Sequence, residues 1–415
     1  MSVTSRESGT QPEHRQISPD PLRRTIDYIQ EYVARVRSGE IGPLPIILGL
    51  VVIVVIFQSQ NQNFLTARNF VNLIVQMAGY TVIAIGVVYV LLIGEIDLSI
   101  GYVSAVSAVF MTLQLQEPGG WPWYTAVTVS LMLAGGIGII HGLIITRFRV
   151  PSFIVSLAAL LAWNGAVLIL IGSAGTVIIQ DKVVVGIASY FLPPRWGWII
   201  AIITSGIFAI HQVQQWYDHR RRGVVGQPGL IVLLQIGFMA AMSFGVVIVA
   251  NKDRGVPFVG VLLLILLAGF TLLATKTKFG RYVYAVGGNK EAARRAGIDV
   301  DRVLVIVFMI SSLMAGAGGI VLASRLRSVD TAAGGGNLLL NSIAAAVIGG
   351  TSLFGGSGKV FSALLGALVI AGVENGMGLL GLSAGVKFVI TGMVLLLAVI
   401  VDAVSRRNRA QPRIN

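Results

Sequence analysis

Residues 71–93 read VNLIVQMAGYTVIAIGVVYVLLI, a run without a single charged side chain. About 20 consecutive apolar residues in a helix cross the hydrocarbon core of a bilayer. The run is too long and too uniformly apolar for a surface helix of a soluble protein, so it predicts a membrane span. Similar runs recur along the rest of the chain. Together they predict an all-α protein, a polytopic bundle of transmembrane helices.

The composition of the whole chain agrees with this fold class. Of its 415 residues, 55% are hydrophobic and only 12% are charged, and the mean hydropathy is +0.82. A soluble domain carries about 25% charged residues. The 50 glycines suit membrane helices, where small residues let two backbones approach closely. We therefore expect lipid rather than water to surround most of the chain.

Twelve apolar runs are candidate spans, and two of them, 101–115 and 338–350, are short enough to be half-helices inside the bundle. The full set is 43–58, 71–93, 101–115, 124–145, 153–172, 196–211, 229–249, 257–275, 303–324, 338–350, 358–380 and 386–404. Depending on the short runs, the bundle has about ten to twelve spans. They define a transmembrane domain, 43–404, between an N-terminal tail, 1–42, and a C-terminal tail, 405–415.

The positions of Lys and Arg predict the side of the membrane on which each loop lies. If the N-terminus is cytoplasmic and the spans alternate, the five longer inside segments hold 22 of the 31 Lys and Arg residues. These segments are 1–42, 146–152, 212–228, 276–302 and 405–415, with short inside turns at 94–100 and 351–357. Basic residues accumulate in cytoplasmic loops. We therefore expect both termini in the cytoplasm, and the net charge of +13 indicates topology rather than nucleic-acid binding.

The N-terminal tail is polar and lacks the apolar core of a signal peptide. Within it, 21–38 predicts a basic amphipathic helix on the membrane surface. For residues 1–20 a disordered cytoplasmic tail is the alternative.

No sequence pattern indicates catalysis or cofactor binding. The chain has no cysteine, and its four histidines show no metal-ligand spacing. Nothing matches the glycine-rich phosphate loop of nucleotide-binding proteins. We expect no catalytic residue, metal or cofactor on this chain. If ATP drives its activity, ATP and Mg²⁺ would bind to a separate ATPase. His141, on an apolar run, is expected to be a hydrogen-bonded residue of the bundle.

Within the loop 276–302, the sequence predicts one short helix between Asn289 and Gly297. Asn289 is a favourable N-cap, and Gly297 is a favourable C-terminal stop. The charged residues follow the helix dipole, with the acidic one near the N-terminus: they are Glu291, Arg294 and Arg295. The small residues are Ala292, Ala293 and Ala296. Such a helix on the inner face is suited to docking another protein, and an ordinary solvated connector is the alternative.

Polar side chains beside or inside the apolar runs are candidates for a substrate pathway. A charge at this depth is costly, so it usually pairs or faces a cavity. Carboxylate and amide oxygens also accept hydrogen bonds from the hydroxyls of a polyol-like ligand. The candidates are Glu95, Asp97, Ser99, Glu374 and Asn375. For Asp97-Leu98-Ser99, a helix cap at the start of the next run is the alternative role.

Two glycine-rich breaks between runs are weakly alike. Ile93 to Gly101 and Ile348 to Leu353 both follow an outside-to-inside span in the predicted layout. They would be equivalent points of a parallel repeat of the kind found in transporters. A chance likeness between two helix breaks is the alternative.

Five segments, in order along the chain, resemble the ribose- and xylose-type permeases of ABC transporters. The segment 280–298 is similar to the cytoplasmic loop that couples to the ATPase in that family. The others are Glu95–Gly101, Val150–Val155, Ile343–Leu353 and Glu374–Met377. Glu95 and the additional pair of runs around 196–249 resemble the xylose type in particular. Leu339 and Asn341 depart from the family, which usually carries an acidic pair there, and this departure puts the identity of the sugar in question.

The resemblance implies the permease subunit of an ATP-driven importer, in a bacterial inner membrane, for a monosaccharide, a pentose such as D-xylose. It implies three protein partners: a second permease copy, an ATP-binding ABC subunit and an extracytoplasmic sugar-binding protein. The implied ATPase-coupling residues are Gly288, Asn289, Glu291, Ala292, Ala293, Arg294 and Gly297. The alternatives are an ABC permease for a branched-chain amino acid or a quorum signal, an ion-coupled secondary transporter that works alone, and an integral membrane enzyme.

Overall fold

The structure, a computed structural model, describes residues 44–222 and 227–394 together with six isolated positions. These positions are Thr25, Ile26, Tyr28, Gln30, Leu396 and Ile400. Apart from them, the predicted tail 1–42, its amphipathic segment 21–38 and the tail 405–415 lie outside the described residues.

The described residues form fifteen α-helices and four short strands. The helices are α1 Leu44–Gln60, α2 Ala67–Leu92, α3 Ile100–Gln114, α4 Trp123–Phe148, α5 Ser152–Ile171, α6 Lys182–Ser189, α7 Pro194–Arg221, α8 Gly229–Asn251, α9 Phe258–Lys276, α10 Lys278–Gly288, α11 Lys290–Arg295, α12 Val300–Leu326, α13 Leu338–Ile348, α14 Ser362–Leu379 and α15 Ala384–Val394. The strands are β1 Thr176–Ile178, β2 Phe191–Leu192, β3 Val256–Pro257 and β4 Ser328–Asp330.

Each of the twelve predicted apolar runs overlaps one of these helices, which confirms an all-α polytopic membrane protein. Within the described residues, eight helices are long and apolar enough to cross a membrane: α2, α4, α5, α7, α8, α9, α12 and α14. The two short runs form α3, of 15 residues, and α13, of 11 residues. A helix of 11 residues extends about 16 Å, roughly half the thickness of the hydrocarbon core.

The described residues belong to two compact units, and the larger one comprises Ile41–Ile199 and Val246–Asn415. Helices α2 and α12 are buried along most of their length, and α12 packs against α2, α3 and α4. Gly319 of α12 lies against the backbone of Ser104 in α3, where a Cβ atom would collide. Close approach through small residues holds helices together in a lipid environment, which supplies no hydrophobic drive between them.

One end of the larger unit, here called the ribbon end, is tied together by backbone pairing. Strand β1 pairs with β4 and β2 with β3, both antiparallel. Asn61 donates to the Leu379 carbonyl oxygen at 3.0 Å, and Gln116 donates to the Ile178 carbonyl oxygen at 3.2 Å. The connections that the Lys and Arg count assigned to the outside of the membrane therefore meet at this end.

The opposite end, here called the coupling end, gathers four connections that the sequence assigned to the inside. These are the turns 93–99, 149–151, 277–299 and 349–361. They are joined by the Glu95 contacts to Ser152 and Lys290 and by the bond from Gly356 N to the Leu92 carbonyl oxygen, 2.9 Å. The two glycine-rich breaks that resemble each other thus lie side by side.

The helix predicted between Asn289 and Gly297 is α11, and the structure adds a second helix, α10, to the segment 276–302. Helix α10 precedes α11 and buries Gly280, Val283 and Val286 on one face. This spacing of three is that of an amphipathic helix. Its apolar side belongs to the core of the larger unit, while the other side is exposed.

The smaller unit comprises Met1–Glu40 and Ile200–Gly245, and apart from four isolated positions its described part is a pair of helical segments from α7 and α8. Gln212 donates to Gln235 at 2.6 Å, a polar link between the two. Near the end of α7, the guanidinium of Arg220 lies 4.5 Å from the ring centroid of Trp216. Most side chains of this pair are exposed, as expected of helices that face lipid.

Candidate functional site

Helix α11 has the two ends that the sequence predicts. The side chain of Asn289 accepts a hydrogen bond from Ala292 N at 2.9 Å, and Gly297 has a φ of +82°. The N-cap and the left-handed residue beyond the C-terminus fix the length of this short helix. Asn289 and Gly297 therefore have the structural roles that were predicted from the sequence.

The charged side chains of α11 lie on its exposed face. Glu291 is 3.3 Å from Arg295 and 3.7 Å from Arg294, which also lies 3.7 Å from Asp301. All four of these side chains are at least 59% exposed. Exposed pairs of this kind contribute little to stability, about 0–1 kcal/mol each, so a partner can replace them at small cost.

The small residues of α11 lie on two different faces. Ala293 is buried and anchors the helix to the larger unit, whereas Ala292 is exposed. We give the name docking face to nine exposed residues of α10, α11 and the position between them. It consists of Arg281, Tyr282, Ala285, Gly288, Asn289, Glu291, Ala292, Arg294 and Arg295.

Helix α10 is fixed to the membrane helices by backbone contact. Gly287 lies against the Leu92 carbonyl oxygen and the Gly356 amide, where a Cβ atom would collide. The Tyr284 hydroxyl donates to the Gly358 carbonyl oxygen at 2.9 Å, and burial raises the pKa of this hydroxyl above its ordinary value. The docking face thus rests directly on the end of α2 and on the turn between α13 and α14.

Glu95 lies at this coupling end, between α11 and the start of α5. Its carboxylate forms an ion pair with Lys290, and it accepts a hydrogen bond from the Ser152 hydroxyl at 2.5 Å. The structure therefore separates Glu95 from Glu374 and Asn375, which line cavities elsewhere in the unit.

Asp97 is buried and holds the turn before α3. One oxygen accepts from Ser99 N at 2.9 Å and from the Ser99 hydroxyl at 2.6 Å, and the other accepts from Ser311 of α12 at 3.2 Å. Ser99 is the N-cap residue of α3 but makes no capping bond with its own side chain. Both residues consequently anchor the turn to the core.

His141 is hydrogen-bonded within the bundle, as predicted. Its Nε2 accepts from Trp163 Nε1 at 3.2 Å, and its Nδ1 lies 3.5 Å from the Ser99 hydroxyl. Across the residues that the structure describes, no group of three His, Cys, Asp or Glu side chains is placed to hold a metal ion.

Two adjoining cavities of about 610 Å³ and 540 Å³ occupy the ribbon side of the larger unit. We call them together the polar cleft. Four side chains line both: Gln76, Arg325, Glu374 and Lys387. Their size suits small ligands, which occupy pockets of about 300–1,000 Å³.

A network of amides and one carboxylate forms the wall of the polar cleft. Asn341 donates to Glu374 at 2.5 Å. Asn69 and Asn375 exchange two bonds, of 2.8 and 3.0 Å, and Asn375 also donates to Gln76 at 3.4 Å. Because Asn341 donates to Glu374, the departure from the family's acidic pair has a structural consequence: an aspartate at this position would set two carboxylates against each other.

Several cleft residues were not among the predicted site residues. Asn69, Asn72 and Gln76 line the cleft from the first turns of α2. Their spacing of three and four places them on one helix face, a signal present in the sequence. The basic residues Arg325 and Lys387 come from α12 and α15, which only the fold brings together.

Comparison with known proteins finds relatives that are all described as transport permeases. The profile of a family described as branched-chain amino acid transport system / permease component matches residues 69–399. The xylose transport system permease protein of Escherichia coli K12 is 38% identical over 355 residues, 83% of this chain and 87% of that protein. The Haemophilus influenzae protein of the same name is 34% identical over 381 residues, which are 90% of this chain and 99% of that protein. The ribose import permease protein of Bacillus subtilis is 30% identical over 363 residues, which are 88% of this chain and 92% of that protein. No solved structure matches the chain.

Proposed function

This chain belongs to the ribose- and xylose-type permeases of ABC transporters, and on that premise we propose that it forms the pathway of an ATP-driven importer for a pentose such as D-xylose. It is a multi-pass membrane protein and a transport subunit rather than an enzyme. The observation that carries the proposal is the similarity to xylose transport permeases over more than four fifths of the chain.

The polar cleft supports a sugar as the substrate. Its amides and carboxylate offer both donors and acceptors, which suits the several hydroxyls of a pentose. We assign Glu374 and Asn375 to the substrate pathway, with Asn69 and Gln76 beside them. A branched-chain amino acid would instead need an apolar wall for its side chain.

The docking face supports a separate ATPase as the source of energy. Helix α11 presents exposed charges of both signs, and α10 rests on the end of α2, so force applied there reaches the membrane helices directly. In this scheme ATP and Mg²⁺ bind to the ATPase, and the coupling residues are those from Gly288 to Gly297 that the resemblance implies. The coupling end then faces the cytoplasm, as do both termini, in a bacterial inner membrane.

The ribbon end, with the mouth of the polar cleft, is the side on which an extracytoplasmic sugar-binding protein would deliver its ligand. A second copy of the chain completes the pathway. The ATPase drives transport by binding differently to the outward-open and inward-open states, because a ligand shifts an equilibrium only by its differential affinity.

The test is uptake of labelled D-xylose, D-ribose and L-leucine by cells with and without this chain. We expect deletion to abolish D-xylose uptake and re-expression to restore it. Loss of L-leucine uptake alone would overturn the sugar assignment in favour of the amino acid in the family's description. D-xylose uptake that survives ATP depletion but collapses with the proton gradient would indicate a secondary transporter.

A further inference from the structure

The carboxylate of Glu95 bridges two helices with its two oxygens. Oε1 forms the ion pair with Nζ of Lys290, the first residue of α11. Oε2 accepts the hydrogen bond from the hydroxyl of Ser152, the first residue of α5. One side chain therefore joins α11, which carries part of the docking face, to a membrane-spanning helix.

The pair is asymmetric in its exposure to water. The Glu95 side chain is 14% exposed, and the Lys290 side chain is 45% exposed. Removing Lys290 leaves the largely buried carboxylate of Glu95 without its counter-charge, which is more costly than losing an exposed pair. The contact is therefore unlike the exposed pairs of Glu291 with Arg294 and Arg295 on the same helix.

Glu95 also lies in the segment that connects α2 to α3. Two residues further on, Asp97 is fixed to Ser311 of α12 and to Ser99 at the start of α3. A displacement of α11 that moves Lys290 thus acts on a segment anchored in the most buried helices of the unit. The same displacement acts on α5 through Ser152.

We propose that the Lys290–Glu95 ion pair, bridged to Ser152, transmits the movement of the docked α11 to the α2–α3 segment and to α5. Glu95 is then a positioning residue of the transport cycle and not a ligand of the sugar. This inference rests on the proposed function, since it requires a partner that moves α11.

The test uses the full-length chain with its ATPase and sugar-binding protein in proteoliposomes, with D-xylose as the probe. The variants are Glu95→Gln, Lys290→Gln and the exchanged pair Glu95→Lys with Lys290→Glu. We expect each single variant to assemble with the ATPase but to lower D-xylose uptake per ATP hydrolysed by about fivefold to 150-fold, the usual range of coupling between sites. The exchanged pair should recover most of the loss, because the Ser152 hydroxyl accepts hydrogen bonds as well as donating them.

Lys278→Gln is the matched control, because Lys278 is the exposed first residue of α10, as Lys290 is of α11. It should retain the ratio of uptake to ATP hydrolysis. If Glu95→Gln does not fold, Lys290→Gln and the exchanged pair supply the test from the exposed side of the contact.

Two results would overturn the inference. One is wild-type uptake per ATP in both assembled single variants. The other is an exchanged pair that loses as much as the two single variants combined, which would make Glu95 important for another reason, such as sugar binding. Failure of the proposed function is a different result, since the unmodified complex would then import no D-xylose at all.

Discussion

The coupling end and the polar cleft hold their charged side chains in opposite ways. At the coupling end, the carboxylates of Glu95 and Asp97 are bound by a cation or by hydroxyls of neighbouring helices. In the cleft, Glu374 is held by an amide, and Arg325 and Lys387 line open cavities. Polar groups that bind one another keep helices in register, whereas polar groups that line a cavity are placed to bind a ligand. Substitutions at the first end should therefore affect coupling, and those in the cleft should affect the substrate.

The largest effect is expected from Gly287→Ala. A methyl group there would collide with the Leu92 carbonyl oxygen and push α10 away from α2. Overpacking of this kind costs about 1–3 kcal/mol of unfolding free energy, and we expect D-xylose uptake to fall at least about tenfold. Thermal unfolding in detergent and uptake measure the two quantities. Gly288→Ala is the stability control, since a Cβ atom there meets nothing within 4 Å, and equal destabilisation by both variants would contradict the contact.

A distinct effect is expected in the cleft from Glu374→Ala. The substitution leaves the buried amide of Asn341 without its acceptor, at a cost of about 1–3 kcal/mol. We expect the KM for D-xylose to rise while ATPase assembly is kept. Glu374→Gln retains an acceptor oxygen and should lose less. If Glu374→Ala lowers uptake per ATP hydrolysed and leaves KM unchanged, the cleft affects coupling as the coupling end does, and the contrast between the two regions fails.

A smaller effect is expected from Asn289→Ala, which removes the bond to Ala292 N and thus the N-cap of α11. Loss of a cap costs about 1 kcal/mol, or roughly fivefold in the affinity of the ATPase for the permease. Asn289→Ser preserves a capping oxygen and should bind nearly as well. Titration of the ATPase onto the purified chain gives the affinities. If serine is as weak as alanine, Asn289 touches the partner and does more than cap the helix.

The smallest effect is expected from Tyr284→Phe, which removes the bond to the Gly358 carbonyl oxygen and costs about 0.5–1.5 kcal/mol. Burial raises the pKa of Tyr284 above its ordinary value of about 10. The buried neutral hydroxyl therefore contributes its full stability below pH 10 and loses it as the pH rises further. Between pH 9 and 11, the free energy of unfolding should fall less steeply with rising pH in the variant than in the unmodified protein. Parallel curves would show that this hydroxyl does not titrate with folding.

Local sequence signals predicted the helices that depend on local physics. Hydropathy located each of the eight helices of membrane-spanning length among the described residues, because the bilayer requires long apolar runs whatever their neighbours are. The ends of α11 followed from Asn289 and Gly297, since capping is a contact between residues three or four apart. Helix α10 was missed because its apolar face is short and lies in a loop rich in lysine and arginine.

The candidate site was predictable only in part, because its groups come from distant positions. The bond of Asn69 to Asn375 joins residues 306 apart, and Glu374 meets Asn341 across two helices. Glu95 and Glu374 were grouped by chemistry, yet the fold places them in different networks. No local pattern distinguishes a carboxylate that pairs with a lysine from one that lines a cavity.

The short strand pairs at the ribbon end bear on how this surface can diversify. Strands β1 and β4 are joined through main-chain atoms, while the side chains of Thr176 and Ile178 are exposed. Main-chain bonds are largely indifferent to which side chains the strands carry. Natural variation or deliberate exchange at these exposed positions can therefore alter the outer surface while the ribbon persists, provided that the buried Val177 and Val329 are kept.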